Sequence, residues 1–321
     1  MRRKLIALVV LALLGACAAY VEGSNMRNNS AAFRETPPSG QFLDVGGTQV
    51  HVHVEGSGPD LILIHGAGGN LRDFTFSMVD ELKDEFRIIA FDRPGHGYTQ
   101  RIASREGLGE SPAEQAALLS AAAAQLDVED AVIVGHSFGG IVSLAWALNH
   151  PEQISALVTL GGVSNEWEGD LGSWYTTTTG FLGRNILLPT LSALATRKRL
   201  EGTTAGIFEP DPVPEGYLSH MGVELSKATV TLQATTQQVN FLKPHVVEMQ
   251  KRYGGLTIPI ELVHGTADTT VPINVHARVL ASQAPNANLT ALEGVGHMPH
   301  HAAEPQAIAA IRRAANRAGL R

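Results

Sequence analysis

The protein has 321 residues, of which 44% are hydrophobic and 17% are charged, and its formal net charge is −7. This length suits one α/β domain with an added subdomain, without repeats or low-complexity arrays. The negative charge provides no basic field for nucleic acid, so nucleic acid is not an expected partner. The single cysteine, Cys17, leaves no internal disulfide to form.

The N-terminus is typical of export or membrane anchoring, because basic residues at positions 2–4 precede an uncharged run from Leu5 to Val21. The run is at the short edge of what spans a bilayer. Leu14-Gly15-Ala16-Cys17 resembles a bacterial lipoprotein signal, in which Cys17 would become the lipidated first residue. An uncleaved anchor is an equal alternative, and soluble export after Ala18 or Ala19 is the third. Since basic residues stay in the cytoplasm, each alternative places the remaining chain outside it, with the first two in the cell envelope.

Residues 22–40, rich in Asn, Ser and Pro, predict an irregular tether between the membrane and the folded domain. The strictly alternating stretch Thr48–Val54 then predicts an edge strand whose valines face the core, namely Val50, Val52 and Val54. We expect His51 and His53 on the exposed face. No third ligand lies near them, so no metal site is expected there.

The next strand prediction is Asp60–Ile64, an apolar run followed by the glycine-rich loop His65–Asn70. Such a loop can hold backbone donors for the oxyanion of an acyl-transfer reaction, and we expect the Ala67 N–H to be one. A phosphate cradle is the alternative. Neither Gly-x-x-x-x-Gly-Lys nor a strand-linked Gly-x-Gly-x-x-Gly is present, which disfavours that alternative.

A further strand is predicted over Phe86–Phe91, and the turn Asp92–Gly97 follows it. We interpret Asp92 and Arg93 as turn architecture. Ser111 as the N-cap, with Pro112 at the first helical position, then predicts the start of an alanine-rich helix.

Gly135-His136-Ser137-Phe138-Gly139 is the most informative stretch of the chain. It lies between the apolar run Ala131–Val134 and a helix-like run, Ile141–Asn149. A serine on a sharp turn between a strand and a helix presents its hydroxyl above the sheet, and the flanking glycines permit the turn. The pattern predicts Ser137 as a nucleophile and the Phe138 N–H as a second oxyanion donor.

The alternation of strands and helices ends after the predicted strand Ser155–Leu160, and residues 163–256 predict a helical cap over Ser137. Large apolar residues in a cap are candidates for pocket walls or for packing within the cap itself. The candidate pocket walls are Trp167, Trp174, Phe181 and Phe241.

A serine hydroxyl needs an adjacent base and a third group that orients the base. The strand pattern Pro259–His264 leads into a turn that carries Asp268, and Leu289–Leu292 leads into a glycine-flanked loop that carries His297. The order Ser137, Asp268, His297 is that expected when the three residues follow successive strands. A helix starting at Glu304-Pro305 is expected to brace the histidine loop.

Together these motifs resemble the α/β-hydrolase superfamily, of the type with a lid after the sixth strand. The resemblance implies an α/β fold: a mostly parallel, doubly wound sheet formed by 41–162 and 257–321, with 163–256 as the cap. Five motifs are similar to the family's oxyanion loop, following turn, nucleophile elbow, acid loop and histidine loop: His65–Gly69, Asp92–Gly97, Gly135–Gly139, His264–Asp268 and Gly296-His297.

The resemblance implies a serine hydrolase of a small carbonyl compound, an ester-type substrate, with no cofactor and no metal. Glu166, Glu168 and Asp170 compete for the acid role, since some family members keep their acid after the sixth strand; the strand-end placement favours Asp268. We expect His300 and His301 at the rim or surface. The histidines that precede motif residues are expected to brace their loops: His65, His136 and His264.

Three alternatives stay open. Cofactor-free haloperoxidases and C–C bond hydrolases use the same three residues, and the fold also hosts non-catalytic binding proteins, although these usually lack a triad member. The sequence does not define the substrate or the oligomeric state.

Overall fold

The structure is a computed structural model that describes residues 2–103 and 108–321. Eight strands form one sheet in the order β1-β2-β4-β3-β5-β6-β7-β8. Strand β2 is antiparallel to both of its neighbours, and the remaining neighbours are parallel. The strands are β1 Gln41–Val45, β2 Thr48–Gly56, β3 Asp60–Ile64, β4 Arg87–Phe91, β5 Ala131–His136, β6 Ile154–Leu160, β7 Ile260–Gly265 and β8 Ala287–Leu292.

The helices before the cap are α1 Arg2–Glu35, α2 Arg72–Thr75, α3 Met78–Leu82, α4 Pro112–Ala124 and α5 Phe138–Asn149, with a 3₁₀ turn at Pro151–Gln153. The cap contains α6 Ser173–Thr179, a π-helix at Gly183–Leu187, α7 Leu188–Leu194, α8 Arg197–Phe208, α9 Tyr217–Met221, α10 Val223–Ser226, α11 Thr229–Asn240, α12 Leu242–Met249 and a 3₁₀ helix at Gln250–Gly255. The helices α13 Ala277–Gln283, α14 Pro299–Ala302 and α15 Glu304–Arg317 follow.

Helices cover both faces of the sheet, which is why the central strands are mainly apolar. The side chains of β3 and β5 are buried throughout. One face packs against α4, α5 and α13, and the other packs against α3 and α15. This arrangement confirms the predicted doubly wound α/β sheet, and the cap helices between β6 and β7 confirm the insertion after the sixth strand.

Several parts of the prediction for β2 were wrong. β1 forms the edge of the sheet and β2 lies inside it, and Val54 is 37% exposed whereas Val50 and Val52 are buried. His51 is also buried, because its Nδ1 lies 2.7 Å from Asp92 Oδ2, a partner 41 positions along the chain. His53 bonds the Ser39 carbonyl and the Glu55 carboxylate instead of standing free.

Helix α1 extends much further than the apolar run of the sequence. Its most apolar 18-residue window has a mean hydropathy of 2.4 and is not buried, and among the described helices it alone is long and apolar enough to cross a membrane. Signal sequences share this length and composition. Residues 22–35, which we expected to form an irregular tether, are helical, because α1 packs here against the cap. Asn25 donates to the Pro189 carbonyl at 3.0 Å, and Asn28 donates to the Ala193 carbonyl at 3.3 Å.

Candidate active site

Ser137 lies on the turn between β5 and α5 in a backbone conformation that few residues adopt. Its φ of 51° and ψ of −117° are held by tight packing of the helix against the sheet. A Cβ on Gly139 would lie 2.0 Å from the Ile64 carbonyl oxygen, so only glycine fits there. Such a conformation costs about 1–3 kcal/mol, and the surrounding structure maintains it. The predicted elbow is present, and it directs the Ser137 side chain into a cavity.

The three predicted triad side chains lie together although they are far apart in the sequence. His297 Nε2 is 2.9 Å from Ser137 Oγ, and His297 Nδ1 is 2.7 Å from Asp268 Oδ2. All three residues are less than a tenth exposed. With hydrogen on Nδ1, the imidazole donates to Asp268 and can accept the serine proton at Nε2.

The environment of Asp268 keeps its carboxyl group ionised. Burial alone would raise the pKa of Asp268, but hydrogen bonds from His264 and His297 outweigh it and hold the pKa well below its ordinary value. The backbone N–H groups of Thr270 and Val271 also donate to Oδ1, at 2.9 and 2.8 Å. Asp268 can therefore stabilise an imidazolium at His297.

The competing acids are placed differently. Glu166, Glu168 and Asp170 are exposed residues in the segment after β6, and the first two line the mouth of the cavity. His297 Nδ1 is already bonded to Asp268. The geometry thus favours Asp268 as the orienting acid.

Ala67 and Phe138 are placed as an oxyanion site requires. Both line the same cavity as Ser137. Phe138 is the first residue of α5, where an N–H has no acceptor within the helix. The N–H of Ala67 has no hydrogen-bond acceptor among the residues that the structure describes. Two unpaired N–H groups beside the serine are available to an oxyanion.

Arg93 has a role that the sequence analysis missed. It is fully buried, and it donates to the carbonyl oxygens of His65 and Gly66 at 2.9 and 3.1 Å. Its guanidinium also lies over the Phe138 ring, 4.5 Å from the centroid. Burial lowers the pKa of Arg93 to about 9. Arg93 therefore joins the oxyanion loop to the nucleophile elbow, a contact that the turn pattern around it did not indicate.

The cap also holds the loop that carries His297. The N–H of Gly296, next to His297, donates to Asp211 Oδ2 of the cap at 2.7 Å. A Cβ on Gly296 would lie 2.3 Å from the Glu209 carbonyl oxygen. On the side of the loop away from the cap, the His297 carbonyl accepts a hydrogen bond from His136 Nε2 at 3.1 Å. As predicted, His136 braces a loop. His65 does the same by accepting the Arg93 N–H at Nε2, and His264 does so by donating from Nε2 to the Val271 carbonyl.

His300 and His301 are not rim residues, contrary to the prediction. Their Nε2 atoms lie 3.1 and 2.9 Å from Asp73, and Tyr217 donates to the same carboxylate at 2.7 Å. Burial alone would raise the pKa of Asp73, but the two histidines hold that pKa well below its ordinary value. Burial lowers the pKa of His300 to about 4. Within the described residues, Asp73, His300 and His301 are the one set of ligand atoms close enough to hold a metal ion, within 4.8 Å. These hydrogen bonds already satisfy both carboxylate oxygens.

The cavity above Ser137 has a volume of about 770 Å³ and a mainly apolar lining. Trp167 lines it, as predicted. Trp174, Phe181 and Phe241 do not: they are 46%, 75% and 42% exposed, and Phe241 lines a separate groove beside Leu108. The lining residues that the sequence did not reveal include Leu171, Tyr175, Val239, Leu242 and His276.

A serine hydroxyl, a correctly oriented imidazole and two free N–H groups around an apolar cavity can perform acyl transfer. The family model of the alpha/beta hydrolase fold matches residues 59–303. The chain belongs to the α/β-hydrolase family. The predicted recognition is confirmed, and the family supports a hydrolase acting on small molecules.

Relatives within this family include different hydrolases. A pimeloyl-[acyl-carrier protein] methyl ester esterase from Vibrio campbellii is 26% identical over 78% of this chain and 92% of its own. A 2-hydroxy-6-oxo-2,4-heptadienoate hydrolase from Pseudomonas putida is 33% identical over 40% of this chain and 46% of its own. The crystal structure of a bacterial membrane phospholipase A matches 100% of this chain and 99% of its own with a TM-score of 0.65 and 18% identity, a likeness of fold.

Proposed function

We propose that this protein is a serine hydrolase of carboxylic esters that uses Ser137, His297 and Asp268. The observation that carries the proposal is the continuous hydrogen-bonded array from Asp268 through His297 to Ser137, with the serine at the floor of an apolar cavity. The Vibrio relative, an ester hydrolase, is in accord with it.

The reaction proceeds by acyl transfer in two steps. Ser137 Oγ attacks the ester carbonyl while His297 Nε2 takes its proton, and the N–H groups of Ala67 and Phe138 stabilise the oxyanion. His297 then gives the proton to the departing alcohol. Water, activated by the same imidazole, attacks the acyl-enzyme, and its collapse releases the acid and restores Ser137.

The cavity favours a neutral substrate with an apolar acyl group. Its walls are mainly aliphatic and aromatic, and in the part of the chain that the structure describes neither lysine nor arginine lines it. Glu166 and Glu168 at its mouth repel anions. The Pseudomonas relative acts, by its name, on a dienoate, whose carboxylate would lack a cationic partner here. This observation favours ester hydrolysis over C–C bond hydrolysis.

We also propose that α1 anchors the enzyme to a membrane, with the folded domain outside the cytoplasm. The apolar part of α1 is exposed, whereas its C-terminal part is packed on the cap. Retention of the helix and lipidation at Cys17 both satisfy this arrangement, and soluble export does not. Mass spectrometry of the mature N-terminus distinguishes the three outcomes.

The test of the reaction is Ser137→Ala, assayed on p-nitrophenyl butyrate and with a fluorophosphonate probe. We expect turnover to fall at least about 1,000-fold and labelling to disappear, because the proposed acyl-enzyme forms on Ser137 Oγ. Ser282→Ala, an exposed serine on α13, is the matched control and should retain both. Turnover that survives in Ser137→Ala would overturn the proposal.

A further inference from the structure

Three neighbouring apolar side chains of the cap have no cover within the fold. Phe181, Leu182 and Ile186 are 75%, 67% and 59% exposed. We refer to them as the apolar cap edge. Exposed apolar side chains that form a patch mark a contact surface for a partner or a membrane.

The apolar cap edge lies on a helix that runs beside α1. Residues 181–182, the π-helix Gly183–Leu187 and α7 form one continuous helical segment. Asn25 bonds to Pro189 and Asn28 bonds to Ala193, so the two helices advance in the same direction where they pack. Helices packed in this way lie about 8–10 Å apart.

This alignment sets the depth of the apolar cap edge relative to the apolar part of α1. Phe181 precedes Pro189 by two helical turns, about 12 Å along the axis, whereas Val21 precedes Asn25 by only about 6 Å. Phe181 is therefore level with the region of Cys17, about 6 Å inside the C-terminal end of the apolar run. That depth matches the 5–10 Å to which interfacial apolar residues enter the acyl boundary of a bilayer.

We propose that the apolar cap edge inserts into the bilayer that surrounds α1, so that esters reach the cavity from the lipid phase. The cap edge continues the helix that packs on α1 toward the level of the apolar part of α1, so a bilayer that encloses that part would reach the level of Phe181. An intact transmembrane helix gives this depth, and a lipid on Cys17 would bring Phe181 to the membrane surface. The substrate part of this inference rests on the function proposed above.

The cap edge is also connected to the cavity. Helix α6 packs against the π-helix that carries Ile186, and Tyr175 of α6 lines the cavity together with Leu171. Leu171 is 39% exposed and so lies at the mouth. The residues at the mouth of the cavity are thus next to the surface that enters the lipid, a short path for a long acyl chain.

The test of depth uses the full-length protein in phosphatidylcholine vesicles with and without bromine on the acyl chains. Phe181→Trp places a reporter on the apolar cap edge, and Leu194→Trp places a reporter about 20 Å away on the same helix, at a position that is 60% exposed. We expect bromine to quench the added fluorescence of Phe181→Trp at least about twofold more than that of Leu194→Trp. Equal quenching would overturn the proposal. Fluorescence of Phe181→Trp that is blue-shifted but not quenched would indicate that a second copy of the chain covers the apolar cap edge, and it would also overturn the proposal.

The test of substrate delivery compares two esters of the same alcohol. In Phe181→Asp/Leu182→Asp, turnover of vesicle-borne p-nitrophenyl palmitate should fall at least about fivefold while that of soluble p-nitrophenyl butyrate stays within about 1.5-fold. Leu194→Asp is the matched control and should change neither. Equal loss of both substrates, or no loss of palmitate turnover, would overturn lipid-phase delivery. A wild-type protein inactive on both esters would instead refute the proposed function, and the quenching result would still decide the membrane contact.

Discussion

Replacing Asp268 with asparagine tests the orientation of the catalytic imidazole. Asp268 Oδ1 accepts the N–H groups of Thr270 and Val271, so an asparagine carbonyl must occupy that position. Its NH₂ group then faces His297 Nδ1, where Asp268 Oδ2 now lies 2.7 Å away. An NH₂ group cannot accept a hydrogen bond, so Nδ1 must become the acceptor and the ring hydrogen moves to Nε2. The nitrogen facing Ser137 can then no longer take a proton.

We expect kcat to fall about 10⁴-fold, which corresponds to about 5.5 kcal/mol of barrier. The loss should stop there, because the N–H groups of Ala67 and Phe138 are untouched and supply the remaining catalysis. The side chain keeps its shape and its two backbone hydrogen bonds, so the free energy of unfolding should change far less than the barrier.

The assay is kcat on p-nitrophenyl butyrate, with urea unfolding of the same samples as the stability measurement. Glu166→Gln is the matched control, because Glu166 is the exposed acid that competed for the role, and it should stay within about twofold of wild type. A small effect of Asp268→Asn together with a large effect of Glu166→Gln would refute the assignment of the acid.

Two further predictions concern buried groups. Arg93→Lys keeps the charge but loses the planar guanidinium that donates to the His65 and Gly66 carbonyls. The free energy of unfolding, measured by urea titration, should therefore fall by about 2–4 kcal/mol. A fall of less than about 1 kcal/mol would contradict the bracing role. Burial lowers the pKa of His65, His276 and His300 to about 4 from 6.5, so the unfolded chain binds more protons between these values. Stability should be complete above pH 6.5 and decline as pH falls toward 4, on the order of 3 kcal/mol for each histidine at most. Unfolding midpoints that are flat from pH 6.5 to 4.5 would contradict this prediction.

The sheet and the order of the candidate triad could be predicted because each depends on local patterns. The apolar runs of β3 and β5 define strands buried on both faces, and the elbow glycines define a turn that only glycine permits. These signals lie within a few residues of the groups that they position, so no knowledge of distant contacts was needed.

The features that the sequence did not reveal depend on partners far along the chain. His51 was expected at the surface, but Asp92 lies beside it in the fold. His300 and His301 are buried because Asp73, more than 200 positions away, accepts their hydrogens. Of the four cap aromatics predicted as pocket walls, only Trp167 lines the cavity, because the direction in which a cap side chain faces is set by the docking of whole helices.

The tether differed for a similar reason. Asparagine and serine are weak helix formers, so the composition of residues 22–35 predicted an irregular segment. In the fold, Asn25 and Asn28 bond to the cap, and this packing outweighs their low intrinsic helix propensity.

The hydrogen bond from Gly296 to Asp211 limits how the enzyme can exchange ligands. Because Gly296 adjoins His297, a movement of the cap that carried Gly296 with it would separate His297 from Ser137. Ligand exchange that leaves this hydrogen bond intact therefore needs motion elsewhere along the boundary of the cap. At Asp211 the cap therefore helps to keep the loop that carries His297 in place.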